Sequence, residues 1–171
     1  MSRTRQRINL MHAVNRWRVV ALGVLTICAT ADPVTAWDLH KWPDSASTTQ
    51  VENGLQLTFR CSRGRNSVEM TLSDISGGTD LSAPLRDITT SGGMMIWIRM
   101  PDGGFSQDAF TGFNEQGSVA ASIPVDQITW DSFANGEQLW IQDTGTNDAL
   151  FTSGMKGTGA ARLAFLERCG F

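Results

Sequence analysis

Tyrosine is absent from these 171 residues, histidine occurs twice, and charged residues make up only 18%. So little charge beside 41% hydrophobic residues excludes both a disordered, solvating polymer and a long coiled coil. Three scattered cysteines with no Cys-x-x-Cys pair, together with His12 and His40, offer no spacing from which a zinc site could be built. There is no Gly-x-Ser-x-Gly elbow. The glycine pairs Gly77-Gly78 and Gly103-Gly104 sit in turn-like surroundings and do not open a helix as a phosphate loop would. No apolar run is long enough for a transmembrane helix, which needs about 20 residues. The run Val19–Ala31 has 13.

That run nevertheless has the length of a signal-peptide core, and its flanks agree. Arg3, Arg5, Arg7, Arg16 and Arg18 precede it without an acid among them. Asp32-Pro33 breaks the apolar segment, and small residues follow at Ala29-Thr30-Ala31 and Val34-Thr35-Ala36. The pattern predicts a leader over 1–36, cut after Ala36, with the exported chain starting at Trp37. Bulky Ile27 before Cys28 is unsuited to lipid attachment, and Trp17 interrupts the twin arginines, so general secretory export is expected. The destination is then the periplasm or the outside, with no membrane-spanning segment after processing. Removing the five arginines and Asp32 from 14 basic and 17 acidic residues leaves nine and sixteen, a net charge of -7. Nucleic acid is not an expected partner of so acidic a domain.

Cleavage also removes Cys28, leaving Cys61 and Cys169 as an even pair in an oxidising compartment. Only one intramolecular bridge is possible, and closing so long a loop is worth up to about 4.7 kcal/mol by chain entropy.

Pro43 to Gln50 is polar and without period, which predicts an extended N-terminal arm over 37–53. From 54 to 171 the chain reads as a β-rich domain. Leu55, Leu57, Phe59 and Cys61 alternate with polar residues, and Val68, Met70 and Leu72 do so again after a polar turn, which predicts a hairpin. Met94–Met100 is apolar almost throughout, as in a central strand covered on both faces. A short element is expected near Leu81–Ile88, a helical turn at Pro124–Ile128, a tight turn at Asn135-Gly136, and a second hairpin around Asp143–Asp148. Near the C-terminus the period changes. Thr158 is a candidate helix cap, Leu163, Leu166 and Cys169 would share one apolar face, and Gly170 would stop the helix. The fold class expected is mainly β: a small sandwich or flattened barrel with a C-terminal helix tied on by the disulfide.

Chemistry-bearing constellations are few. Asp143-Thr144-Gly145 is the triplet that aspartic proteases duplicate, but it occurs once and follows polar Gln142; a polar turn accounts for it. Its surroundings also lack calcium-loop spacing. The other acids, among them Asp102, Asp126, Asp131 and Asp148, fall mostly in turns. His40 is the one histidine after cleavage and lies in the arm, away from any nucleophile pattern. No catalytic residue, metal or cofactor is assigned. The candidate binding residues are the basic cluster Arg60, Arg63 and Arg65, suited to a carboxylate or phosphate, with Trp37 and Trp42 near the free end. Trp37 and Trp42 could instead fold back over an open end of the sandwich.

The strand Leu55–Cys61 ending in Arg-Cys, the Ile96, Ile98, Arg99 strand, and the closing segment from Met155 through Cys169-Gly170-Phe171 resemble those of TagO/VasI-like proteins. These are exported accessory proteins associated with type VI secretion. The resemblance spans about residues 54–171 and implies a β-rich periplasmic domain with a Cys61–Cys169 bridge. The lack of a catalytic residue set and the disulfide-stapled β domain lead to the function expected, that of an exported, non-catalytic binding or accessory protein with a protein or cell-envelope partner. The alternative is a small carboxylate-dependent hydrolase acting on cell-wall material.

Overall fold

Asn53 and Gly54 both have positive φ, 52° and 79°, as a two-residue type I′ turn requires. This turn joins two strands of eight residues, β2 (Ser45–Glu52) and β3 (Leu55–Ser62), and pairs them in full antiparallel register from Ser45↔Ser62 to Glu52↔Leu55. The computed structural model that shows this describes residues 36–76, 93–115 and 118–171. The leader and the expected element near Leu81–Ile88 lie outside the described residues.

The expected arm over 37–53 is thus replaced by two sheet strands, β1 (Asp38–Trp42) and β2. Hydropathy hid β2 because its inward residues are Ala46, Thr48 and Gln50, all buried but small or polar. The C-terminal helix packs against this strand, and short side chains let the two backbones approach.

With β4 (Ser67–Asp74), β7 (Phe113–Glu115) and β8 (Ser118–Pro124), the first sheet has the order β1-β2-β3-β4-β8-β7. The second contains β5 (Met94–Arg99), β6 (Phe105–Phe110), β9 (Gln138–Asp143) and β10 (Ala149–Gly154), in the order β10-β9-β5-β6. All pairings are antiparallel. Both predicted hairpins are present, as β3–β4 and β9–β10. One core joins the inner faces: Leu57, Phe59, Met70, Leu72 and Ile123 from the first sheet, Met94, Ile96, Ile98, Leu139 and Ile141 from the second. The chain is a mainly β, sandwich-like protein.

A 3-10 turn at Val125–Gln127 and a short helix, α1 (Trp130–Asn135), lead into β9. Gly136 is not in a tight turn; it ends α1 and donates its N–H to the Ser132 carbonyl at 2.8 Å. The closing helix, α2 (Thr158–Cys169), stops at Gly170 in the left-handed region, as expected. Its start differs. Gly157 takes the cap position with φ 100°, and the Thr158 hydroxyl donates instead to the Met155 carbonyl at 2.7 Å. Its buried face differs too. Ala161, Ala164, Phe165 and Cys169 face inward, while Leu163 and Leu166 are exposed. Cys169 keeps its inward position and bonds Cys61 of β3, the two Cα atoms being 6.0 Å apart.

One end of the core is closed by aromatics. Trp37 stacks on Phe59 at 5.9 Å between centroids, and Phe133 stands edge-on to both. Trp130 connects this group to Phe165 and Phe171. No helix among the described residues is long and apolar enough to cross a membrane.

Candidate functional site

The sequence-based candidates disperse. Trp37 is 4% exposed, its indole N–H donated to the Gly154 carbonyl at 2.7 Å and its backbone N–H to Lys156 at 2.9 Å. It is a core residue, folded back to close one end of the sandwich. Trp42 is 46% exposed, with the Arg60 guanidinium 5.9 Å from its ring centroid in cation–π range. Arg63 pairs with Asp44 at 3.0 Å and donates to the Glu167 carbonyl at 3.4 Å. Arg65 pairs with Glu69 at 3.4 Å. The three arginines therefore do not converge on one anion site; two of them are held by neighbouring carboxylates.

Asp143 is buried at the end of β9 and accepts the Gly145 N–H at 2.7 Å, an Asx-type turn that pins the β9–β10 loop. Asp102 does the same for Gly104 at 2.9 Å in the β5–β6 turn. The ionisation of Asp108 on β6 is displaced: burial raises it above its ordinary value, against a weaker lowering effect of the Thr129 N–H. Among the described residues no group of three or more His, Cys, Asp or Glu is placed to hold a metal.

The structure assembles a different surface on the outer face of the four-stranded sheet. Residues of β5 alternate, with Met94, Ile96 and Ile98 inward and Met95, Trp97 and Arg99 outward. Among the described residues the expected cover on the outward face of this strand is not there. Trp97 lies only half-buried on the open side. Its register partner on β9 is Trp140, flanked in sequence by outward Gln138 and Gln142. The two indoles are parallel within 11°, with centroids 6.1 Å apart. From β6, Phe105 reaches over toward both, nearly perpendicular to each, at 6.5 Å from Trp97 and 5.8 Å from Trp140. Phe105 is 59% exposed.

Polar groups fix this platform. The Trp97 indole N–H donates to Gln142 Oε1 at 2.7 Å, and Gln142 Nε2 donates onward to the Asn147 carbonyl at 2.9 Å. Asn147 itself has φ 64°, a left-handed loop position. Arg99, at one end of the platform, pairs with Glu137 at 3.7 Å. Trp97, Phe105, Trp140 and Gln142 line an open cleft of about 250 Å³. A second cleft, about 220 Å³ between the β2–β3 turn and β10, has Glu52, Asn53 and Leu55 on one side but no comparable grouping of aromatic rings.

Sequence reasoning missed this site although its signal was present. In Gln138-Leu139-Trp140-Ile141-Gln142 the tryptophan occupies the polar phase of a period-two pattern, so it faces outward with the glutamines. No family model, curated protein or solved structure matches the chain.

Proposed function

We propose that this is an exported protein of the cell envelope that acts by binding rather than by turnover, and that the Trp97–Trp140–Phe105 face is its binding surface. One observation carries the reading. Three large aromatic rings are gathered on an open sheet face and one of them is locked by a side-chain relay, an arrangement the core does not need. Large exposed apolar groupings on a small protein mark contact sites. The leader-like first 36 residues and the Cys61–Cys169 bridge support export. An association with secretion machinery rests on the resemblance of residues 54–171 alone.

Co-sedimentation of the processed protein with isolated cell-envelope fractions tests this. Wild type should pellet with them, and a Trp97→Leu/Trp140→Leu variant should remain in the supernatant while melting like wild type. Equal pelleting of both proteins would remove the platform from the function. Turnover of cell-wall fragments, abolished by Asp143→Asn or Asp102→Asn, would establish the hydrolase alternative instead.

A further inference from the structure

We propose that the platform takes the apolar C–H face of a neutral sugar ring, so that the ligand of this protein is a saccharide. The inference rests on the reading that this face binds, and it names what it binds.

Size is the first argument. A cleft of about 250 Å³ with four lining residues lies just below the range of pockets that hold drug-sized ligands, ~300–1,000 Å³. It suits one ring of a longer chain, the remainder passing over the sheet.

Charge is the second. Arg99 is tied to Glu137, and the outward residues around the indoles are the amides Gln107, Gln138 and Gln142 with the hydroxyl of Thr152. With its one cation paired, this rim favours neither an anion nor a cation. A nucleotide would also bring its phosphates to a domain of net charge -7.

The third is the placement of hydrogen-bonding groups. Gln142 is engaged at both its oxygen and its nitrogen in the relay that orients Trp97. By contrast Gln107, Gln138 and the Trp140 indole N–H have no hydrogen-bond partner among the described residues. Gln107 and Trp140 are the register partners of Trp97 on its two sides, and Gln138 pairs with Arg99 one row away. The surface therefore offers an aromatic floor with free amide and indole groups at its margin. A pyranose has the matching layout, with C–H groups on its faces and hydroxyls, which both donate and accept, around its edge. The floor is set before binding by the Gln142 relay, which reduces the ordering cost of capture.

The test is a titration of the processed, disulfide-bonded protein with neutral oligosaccharides (β-1,4-linked N-acetylglucosamine and β-1,4-linked glucose tetramers), followed by tryptophan fluorescence and calorimetry. Saturable binding to at least one is expected. Trp140→Leu and Trp97→Leu should each weaken it tenfold or more, and Gln107→Ala or Gln138→Ala two- to fivefold, with unchanged melting temperatures. Absence of saturable binding to either sugar at millimolar concentration overturns the proposal, as does binding that ignores the tryptophan substitutions. Tighter binding of adenosine or of a choline salt at the same tryptophans overturns it also. Trp-dependent envelope binding that neither tetramer competes would defeat the saccharide assignment while leaving the binding surface standing.

Discussion

Asp108 shows what a single side chain contributes when its surroundings do not suit its charge. Burial raises its ionisation above the ordinary value of 3.8, so the folded state favours the protonated acid. Its contribution to stability is complete below 3.8 and is lost as pH rises through the elevated native value. Asp108→Asn keeps an acceptor for the Thr129 N–H and removes the charge. The variant should melt above wild type at pH 7, and the gain should disappear in melts recorded below pH 3.8. A gain that persists unchanged into acid would show that burial of the carboxylate is not the cause. The surface arginines stand at the other extreme. Arg63 and Arg65 sit in pairs whose side chains are more than half exposed, and such pairs contribute about 0–1 kcal/mol. Their clustering in sequence carried no information about convergence, because the hairpin turn points them at different carboxylates.

Elements were legible where one face is buried and the other wet. The β3–β4 hairpin is the clearest case, since Leu55, Leu57, Phe59 and Cys61 are inward and the residues between them outward. Where close packing replaced bulk, hydropathy failed. On β2 the inward Ala46 and Thr48 resemble a loop, and on α2 the buried alanines were overlooked beside the exposed Leu163 and Leu166. The β5 strand failed differently, because an apolar run cannot distinguish an outward indole from one beneath a second layer. Local turn chemistry would have recovered β2, since Asn53-Gly54 fixes a hairpin whatever the hydropathy of its arms. Gly54→Ala should therefore cost about 1–2 kcal/mol, the penalty of an L residue in the left-handed region, whereas Asn53→Gly should be close to neutral. Urea unfolding monitored by tryptophan fluorescence would show it; equal effects of the two would mean that the turn does not set the register.

At the scale of the molecule, the Cys61–Cys169 bridge joins the sheet to a helix 108 residues later, and Arg162 to Asp131 at 2.9 Å adds a tie between α2 and α1. Cys61→Ser or Cys169→Ser should lower stability by about 2–4 kcal/mol, and the double variant should cost little more, because the two sulfurs form one constraint. Saccharide affinity should survive in whatever fraction remains folded, since the platform lies on the other sheet. The position of Trp37 reaches beyond stability, into the order of events in the cell. A peptidase acts on chain that is exposed and extended. Trp37 follows the proposed cut directly, and once folded its backbone N–H belongs to Lys156 and its indole to the core. A domain that closed early would withdraw half of the segment to be cut, and it would stay tethered to its leader. With the proposed cut after Ala36, release would have to precede closure, and the docking of this one tryptophan would separate a protein still in transit from one that has arrived.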